Sequence, residues 1–263
     1  MLLNTIHNLS AIDLVSKIPD NFVDLYILDP PYVVTNQLWD KEDVVNIELV
    51  EGLFRTLKDT GNLYCWCGIG EKSNSLLKWL PIFSEKFYFK DLITWKKQRG
   101  IGNKRGWLYT REECLWFVKD NKKFTWNISD QYSDSDKYEK LPTGFKMKNG
   151  KYSGEYLKNR EGYKRLTNVW TDIIEESFNT THKSFQNIGH YTPKPEKAIN
   201  RIIKCHTKSR DIVCDPLVGT GTTAVCAQAL GRNWIVGDIS DEFCNLTKQR
   251  LGLFGGDADG QGI

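Results

Sequence analysis

Apolar residues recur with two different periods in the first 120 residues, and the two periods predict different elements. Short, nearly continuous apolar runs are typical of strands buried in a sheet, whereas apolar residues spaced three or four apart indicate amphipathic helices. The strand-like runs are 22–29, 61–68, 87–97 and 113–120, and the helical patterns are about 46–59 and 71–80. The last two strands are joined by a Gly- and Arg-rich stretch without a helical pattern, so we expect a β-hairpin there. This alternation favours an α/β fold with a mostly parallel central sheet that ends in an antiparallel hairpin.

A second set of alternating elements occupies the last third of the chain. It comprises a helix at about 194–206, a strand at 211–216, a helix ending at Gly231, a strand at 234–239 and a final helix. Between the two regular parts the sequence is polar, basic and aromatic, without a clear period. We therefore divide the chain into a first half at 1–120, an inserted region at 121–185, a second half of the same domain at 186–254 and a flexible Gly-rich tail at 255–263.

Composition narrows the class of protein without identifying a function. Of the 263 residues, 40% are hydrophobic and 26% are charged, as in soluble globular proteins, and no apolar run is long enough to span a bilayer. The N-terminus lacks the basic and apolar segments of a secretory signal, so we expect a cytoplasmic protein. The seven cysteines form no CxxC pair and lack zinc-ligand spacing, so we expect small buried side chains and no metal site.

Basic residues are concentrated in two segments, although the net charge is only +3. Residues 140–170 contain eight Lys or Arg and two acidic residues, and residues 96–105 contain five basic residues and no acidic one. Such runs are usually solvated surface. They indicate a nucleic-acid partner only beside a site that acts on nucleic acid.

The stretch CDPLVGTGTTAV is a glycine-rich turn between a predicted strand and a predicted helix. Gly219, Gly221 and Ala224 fit a GxGxxA pattern, in which glycine lets a ligand approach the backbone and the helix start favours an anionic or electron-rich group. Asp238 ends the next strand, where a carboxylate can accept hydrogen bonds from ribose hydroxyls. Threonines follow Gly221 where a P-loop needs lysine. The turn alone leaves the ligand open, because NAD fits the spacing nearly as well and a turn without a ligand is a further alternative.

The residues Asp29, Pro30, Pro31 and Tyr32 follow the predicted strand 22–29. Ligands bind beyond the carboxyl ends of strands in open α/β sheets, so we expect Asp29 to face a pocket. Its carboxylate, and a carbonyl held rigid by the prolines, can accept both hydrogen bonds of one NH2 group, while Tyr32 stacks on a planar base. These acceptors would stabilise the positive charge on an exocyclic amine that attacks a methyl donor. A β-turn with a capping aspartate is the alternative without chemistry.

The order of these motifs resembles the DNA amino-methyltransferases of the permuted beta class. DNFVDLYILDPPY comes first, followed by GNLYCWCG, ITWKK, TREECLWFVK, NVW, GHYTPKPEKAINRII, DPLVGTGTTAV and WIVGDI. The resemblance covers nearly the whole chain and implies a Rossmann-like S-adenosylmethionine-dependent methyltransferase fold. It implies that 1–120 is the catalytic half, 121–185 the target-recognition region and 186–254 the cofactor-binding half.

The resemblance also assigns residues to two sites. Asp29, Pro30, Pro31 and Tyr32 form the catalytic loop that receives a flipped base, and the second site binds S-adenosyl-L-methionine. The residues implied for the cofactor are Asp215, Pro216, Gly219, Thr220, Gly221, Thr222 and Asp238, with Thr192 and Lys194 near the methionine end. The chain departs from the family at Leu9 and Ser10, where a Gly-Asp pair usually contacts the cofactor adenine, which leaves Ser10 as the candidate there.

Beside a base-flipping site, the basic segments become candidate DNA-binding surfaces. The candidate contacts are Lys97, Arg99, Lys104, Arg105, Lys146, Lys148, Lys151, Arg160, Lys164 and Arg165. We expect double-stranded DNA with a specific site as the partner. The family also allows for a companion restriction endonuclease and a homodimer.

Together these observations predict methyl transfer from S-adenosyl-L-methionine to N6 of adenine in DNA. In the family that this chain resembles, an aspartate before PPY occurs more often in enzymes that methylate adenine, and a serine in enzymes that methylate N4 of cytosine. N4 of cytosine is therefore the alternative target. A non-catalytic DNA-binding relative and an NAD-linked oxidoreductase are the alternatives of other classes, and the oxidoreductase leaves the DPPY motif unexplained.

Overall fold

The fold is seen in a computed structural model, which describes residues 2–32, 43–70, 73–101, 105–127, 145–148, 151–156, 166–175 and 193–252. The first half contains β1 (Thr5–Asn8), α1 (Ala11–Ser16), β2 (Val23–Leu28), α2 (Ile47–Thr56), β3 (Leu57–Cys67), α3 (Ser75–Ser84), β4 (Tyr88–Ile101) and β5 (Tyr109–Val118). The inserted region contributes β6 (Phe145–Lys148), β7 (Lys151–Tyr156) and β8 (Val169–Trp170). The second half contains α4 (Glu196–His206), β9 (Ile212–Asp215), α5 (Thr222–Ala229), β10 (Asn233–Asp238) and α6 (Asp241–Arg250).

Eight strands form one sheet in the spatial order β1-β10-β9-β2-β3-β5-β4-β8, and β6 pairs separately with β7. From β1 to β3 all neighbours are parallel, whereas β5 runs antiparallel to both β3 and β4. The predicted fold class is therefore confirmed as a mostly parallel sheet that continues into an antiparallel hairpin. The two halves of the chain meet inside this sheet, where β9 of the second half lies beside β2 of the first.

Two layers of helices cover the two faces of the sheet. One layer is α1, α2 and α3, which pack on side chains such as Tyr26 and Leu28 of β2. The other contains α4 and α5, which pack on Leu25 and Ile27. Because β2 is buried on both faces, its sequence after Asp24 is continuously apolar instead of alternating. The helices that follow β2 and β9 lie on opposite faces, so the carboxyl ends of these neighbouring strands form the crevice in which α/β sheets bind ligands.

Five short elements were absent from the sequence prediction, and two of them, β6 and β7, lie in the inserted region. β1 is polar, and it forms because its backbone pairs with β10 from Thr5 opposite Ile235 to Asn8 opposite Asp238. α1 is only six residues long, and Ser10 caps its first turn by accepting a hydrogen bond from the Asp13 amide at 3.1 Å. β8 is only two residues long, and it forms the edge of the sheet by pairing in parallel with β4.

The boundaries 121 and 185 of the inserted region stay a prediction. Some described residues of this range lie against the main sheet, because Phe124 and Trp126 pack on the α4 and α5 face and Trp170 is buried there. Asn127 also donates hydrogen bonds to the carbonyls of Lys204 and Thr207 at the end of α4. These pieces contribute to the core of the sheet domain.

All seven cysteines are buried with free thiols, as their apolar sequence context predicts. Among the described residues, no helix is long and apolar enough to cross a membrane. Within the same residues, no group of His, Cys, Asp and Glu side chains has the arrangement of a metal site.

Candidate active site

Four carboxylates that could bind a ligand or exchange a proton lie at one edge of the sheet. Asp29 follows the last residue of β2, Asp215 ends β9 and Asp238 ends β10, so the three carboxylates lie at the carboxyl edge of parallel strands. β5 runs in the opposite direction, and its residue Glu113 pairs with Cys67 at the end of β3. The start of β5, with Glu112, therefore reaches the same edge as Asp29.

Asp29 and Glu112 are joined by two shared hydrogen-bond donors. The Lys194 ammonium lies 2.6 Å from Oδ1 of Asp29 and 2.9 Å from Oε1 of Glu112. The Tyr32 hydroxyl lies 2.6 Å from the same oxygen of Glu112 and 3.2 Å from Oδ1 of Asp29. Lys97 completes the cluster at 2.8 Å from Oε2 of Glu112. We call these five residues the Asp29–Glu112 network.

The network balances two carboxylates with two ammonium groups. Burial by itself would raise the pKa of Glu112, but Lys194 and Lys97 outweigh it and hold that pKa at about 2. For Lys194 the two carboxylates outweigh burial, and its pKa is raised. Asp29 differs, because burial together with the Glu112 charge prevails over Lys194 and raises its pKa. Glu112 and Lys194 are therefore fixed charges, and Asp29 is the carboxylate better suited to take up a proton.

Tyr32 has a fixed ring and a protonated hydroxyl. Burial raises the pKa of its hydroxyl well above the usual value, and the charge of Glu112 raises it further. The ring packs at 6.1 Å from that of Trp79, and the Lys194 ammonium lies 5.4 Å from its centroid. Lys194 also lies 5.5 Å from the ring centroid of Trp66, so its charge is placed against two aromatic faces.

The glycine turn between β9 and α5 has the backbone that its sequence predicts. Gly219 and Gly221 have φ of +49° and +86°, which only glycine adopts without strain. A Cβ on Gly219 would meet no atom within 4 Å, so open space adjoins the turn at this point. A Cβ on Gly221 would lie 2.8 Å from Oγ1 of the buried Thr247, so this glycine is needed for packing of α6.

Asp215 and Asp238 stabilise the turn by accepting hydrogen bonds from its backbone amides. Asp215 accepts hydrogen bonds from the Thr223 hydroxyl at 2.6 Å and the Leu217 amide at 3.1 Å, and burial raises its pKa to about 7. Asp238 accepts from the amides of Gly219 at 3.0 Å and Ser240 at 2.9 Å, and burial raises its pKa. A carboxylate can accept about four hydrogen bonds, so Asp238 keeps acceptor capacity for a ribose hydroxyl.

Other predicted cofactor residues surround the same turn. Pro216 is buried within it, and Arg250 of α6 donates to the Thr220 carbonyl at 2.6 Å and to the Thr222 hydroxyl at 3.1 Å. Ser10 lies just beyond β1, whose last residue pairs with Asp238, although its hydroxyl caps α1. Lys194 lies 2.6 Å from Asp29, and its place near the methionine end of the cofactor stays a prediction. Thr192 lies outside the described residues.

The predicted DNA contacts are distributed over several parts of the chain. Lys97 has a protein partner in Glu112 and is 27% exposed, so it is a member of the Asp29–Glu112 network, and its contact with DNA stays a prediction. Arg105 is exposed in the loop between β4 and β5. Arg99 lies in β4, Lys146 and Lys148 lie in β6, and Lys151 lies in β7. The remaining candidates, Lys104, Arg160, Lys164 and Arg165, lie outside the described residues.

Glu112 is the residue of this site that the sequence analysis did not single out. It follows Arg111 at the start of the strand stretch TREECLWFV, where an acidic residue is unremarkable surface chemistry. The available signal in the sequence is the pair Glu112-Glu113 at the head of an apolar strand, because acidic residues are almost never buried unless they are paired. In the structure both residues are buried, with 8% and 1% of their surface exposed. Which of the two faces Asp29 depends on the pleat of β5.

Known proteins match this chain over most of its length. The DNA methylase family, of the N6/N4 type, matches residues 23–249. The Type II methyltransferase M1.MboII of Moraxella bovis is 28% identical over 252 residues, which cover 92% of this chain and 94% of the relative. The Type II methyltransferase M.HpaI of Haemophilus parainfluenzae is 30% identical over 251 residues, which cover 92% of this chain and 72% of the relative.

Solved structures share the fold. M1.HpyAVI superposes with a TM-score of 0.60 at 23% identity, over 95% of this chain and 99% of that chain. TTHA0409 of Thermus thermophilus, solved in complex with S-adenosyl-L-methionine, gives 0.63 at 18% identity, over 94% and 93% of the two chains. The cytosine-N4-specific PvuII DNA methyltransferase gives 0.67 at 16% identity, over 94% and 85%. With the family match across most of its length, the chain belongs to the DNA methylase family, the DNA amino-methyltransferases of the N6/N4 type.

Proposed function

We propose that this protein transfers a methyl group from S-adenosyl-L-methionine to N6 of adenine in double-stranded DNA. The observation that carries the proposal is the position of Asp29, directly after β2 at the carboxyl edge of the sheet, with Oδ1 fixed by Lys194. Among the described residues, Oδ2 of Asp29 receives no hydrogen bond. This leaves a rigidly held acceptor for an N–H group of a substrate.

The side chains of the network match the charge changes of amine methylation. The cofactor supplies a methyl group on a positively charged sulfur, so a C–S bond breaks as the N–C bond forms and the amine nitrogen becomes positive. The Asp29 carboxylate stabilises that charge by accepting an N–H hydrogen bond. Its raised pKa suits it to receive the proton that the nitrogen then releases. Tyr32 offers the base a ring whose position is fixed by Glu112 and Trp79.

The glycine turn supports the cofactor part of the proposal. The open space at Gly219 admits a ligand close to the backbone, and Asp238 retains lone pairs for ribose hydroxyls. Asp215 ends the strand next to β2, so the turn lies beside Asp29 at the switch point of the sheet. The two reactants would thus meet at adjacent strand ends.

The hairpin of β4 and β5 supports DNA as the partner. Its loop lies at the same sheet edge as Glu112 and carries the exposed Arg105. Trp107 follows with 96% of its surface exposed, an unusual position for tryptophan outside an interface. A cation for phosphate and an aromatic ring for a base or sugar therefore lie beside the reaction edge. We extend the proposal to a companion restriction endonuclease for the same DNA site, because the relatives are Type II methyltransferases.

The deciding test is to incubate the protein with DNA from a host lacking DNA methylation and with S-adenosyl-L-methionine, and to analyse the digested nucleosides by mass spectrometry. We expect N6-methyladenine. Detection of N4-methylcytosine would assign the alternative base. That base is the target named for the PvuII DNA methyltransferase, which shares the fold. Absence of any methylated nucleoside, with cofactor binding intact, would refute the proposed activity.

A further inference from the structure

Glu112 lies at the centre of the Asp29–Glu112 network and has no part in the chemistry proposed above. Its Oε1 receives the Tyr32 hydroxyl and the Lys194 ammonium, and its Oε2 receives Lys97. These partners come from the catalytic loop, the segment before α4 and the strand β4. One carboxylate therefore fastens three separate parts of the chain to the edge where Asp29 lies.

The burial of Glu112 indicates a role beyond stability. Its side chain is 9% exposed, and a carboxylate so buried costs free energy that its ion pairs must offset. Buried ion pairs are often no more stabilising than apolar side chains of similar volume. A buried carboxylate that contacts reaction-site residues is therefore a candidate for function.

The first contact of interest is with Tyr32. A hydroxyl has one proton, and the shorter distance, 2.6 Å to Glu112 against 3.2 Å to Asp29, shows which carboxylate receives it. Glu112 thus fixes the position of the ring against which a flipped base would stack. Because Glu112 is the main acceptor of the Tyr32 proton, Asp29 does not need to accept it.

The second contact is with Lys194. This ammonium is shared between Asp29 and Glu112, and it is only 10% exposed. Without Glu112, Lys194 would pair with Asp29 alone and would compete with a substrate N–H for the charge of that carboxylate. With Glu112 present, part of the ion pairing of Lys194 is directed away from the reacting carboxylate.

We propose that Glu112 is a positioning residue for methyl transfer, which holds the Tyr32 hydroxyl and the Lys194 ammonium so that Asp29 can accept hydrogen bonds from the target amine. This inference rests on the proposed function. Lys194 and Lys97 together keep Glu112 ionised in its buried position.

The test is the variant Glu112→Gln, which keeps the size of the side chain and one acceptor oxygen but removes the charge. We expect kcat for methylation of unmethylated DNA to fall about 10- to 100-fold, because the reacting groups would be slightly misplaced. The Kd for S-adenosyl-L-methionine should change less than about threefold. The acid limb of the pH profile of kcat should move to lower pH. The reason is that the Glu112 charge helps to raise the pKa of Asp29, and activity requires ionised Asp29.

The other groups that act on Asp29 or respond to its charge remain in this variant. They are Lys194, Tyr32, Asp215 and the thiols of Cys65 and Cys114. The change in the acid limb therefore reports the loss of the Glu112 charge. A merely structural role of Glu112 would lower the thermal midpoint and leave the pH profile in place.

The matched control is Glu113→Gln on the same strand. Glu113 is also buried and bonded, to the Thr94 hydroxyl at 2.6 Å and Arg111 Nε at 3.1 Å, but among its described contacts it touches neither Tyr32 nor Lys194. We expect a reduced thermal midpoint with kcat within about threefold of wild type and an unmoved acid limb. If Glu112→Gln behaves like this control, the proposed role of Glu112 is wrong.

A second variant keeps the inference testable if Glu112→Gln does not fold. Tyr32→Phe removes the hydroxyl that Glu112 holds and keeps the ring, so we expect a kcat loss of similar order. In the double variant the two losses should be far from additive, because both remove the same contact. A Tyr32→Phe enzyme with wild-type kcat would overturn the inference. Failure of the wild-type protein to methylate any DNA would instead refute the proposed function.

Discussion

Asp29 shows how one carboxylate can carry two tasks because its two oxygens have different surroundings. Oδ1 is held by Lys194 at 2.6 Å, which fixes the orientation of the group. Oδ2 has no hydrogen-bond partner among the described residues and is available to a substrate. Burial and the nearby charge of Glu112 raise the pKa of Asp29, which favours it as the final proton acceptor.

At this residue we predict that Asp29→Ala abolishes turnover while cofactor binding persists. The carboxylate should contact the target base and not the cofactor, so loss of one charge-stabilising group should lower kcat at least about 100-fold. The Kd for S-adenosyl-L-methionine, measured by titration calorimetry, should change less than about threefold. Loss of cofactor binding together with turnover would show that Asp29 has been assigned the wrong role.

The control for this substitution is Asp24→Asn at the other end of β2. Asp24 pairs with Lys58 at 2.8 Å and accepts a hydrogen bond from the Ile212 amide at 2.9 Å, at the amino edge of the sheet. We expect it to affect stability and to leave kcat unchanged at a temperature where the protein is folded.

Among the elements, the turn from β9 to α5 is the one whose backbone is most restricted. Both glycines have positive φ, but only one of them is packed. Gly221 faces Thr247 of α6, whereas the space beside Gly219 is open. The same turn therefore contains one glycine required by packing and one whose open side is free for a ligand.

We predict that alanine at these two positions separates stability from cofactor affinity. Gly221→Ala combines a strained φ with a contact of 2.8 Å to Thr247, and it should lower the free energy of unfolding by about 2–4 kcal/mol. Gly219→Ala carries only the strain, about 1–2 kcal/mol. Its methyl group would occupy the open space, so its Kd for S-adenosyl-L-methionine should rise. Denaturant unfolding and cofactor titration check both; equal destabilisation by the two variants would contradict this account.

For the molecule as a whole, contacts between the two halves of the chain hold the reaction edge together. β2 and β9 pair in the sheet, Lys194 pairs with Asp29 above their ends, and His206 joins the halves from within the core. Nδ1 of His206 lies 2.9 Å from the Thr125 carbonyl and Nε2 lies 2.7 Å from the Tyr64 hydroxyl. A carbonyl only accepts, so Nδ1 donates; burial lowers the pKa of the ring and keeps it neutral, so Nε2 accepts from the Tyr64 hydroxyl.

The buried His206 makes stability depend on pH with a defined sign. Burial lowers its pKa to about 4, below the usual 6.5, so the unfolded chain binds the proton first as pH falls. Its contribution is complete above about pH 6.5 and is lost toward pH 4. The stability difference between wild type and His206→Gln should shrink by about 2 kcal/mol between pH 7 and 4.5.

Urea unfolding of both proteins at several pH values measures this difference. The difference in the free energy of unfolding between the two proteins is needed because Asp215 changes stability in the opposite direction. Its raised pKa means that the folded protein gains a proton below about pH 7. That contribution is common to both proteins and cancels. A difference that stays constant with pH would contradict the assignment of a neutral, buried imidazole.

The sequence predicted most of the long elements and the two motifs, and it missed contacts that cross the chain. The hairpin, the helices of the second half and the glycine turn follow from local periodicity and turn chemistry. β1 was missed because its polar sequence becomes a strand only by pairing with β10. The ion pair of Lys97 with Glu112 was missed because the charge of Lys97 is visible in the sequence and its partner is not.

What the sequence by itself determined is the order of strands, helices and motifs, because those depend on spacing between near neighbours. It placed Asp29 after a buried strand and the glycines before a helix, and both lie there. Only the tertiary structure decided that Glu112, Lys194 and Tyr32 meet. That meeting depends on the reversal of β5 against β3 and on the pleat that turns Glu112, instead of Glu113, toward Asp29, and neither is a property of neighbouring residues.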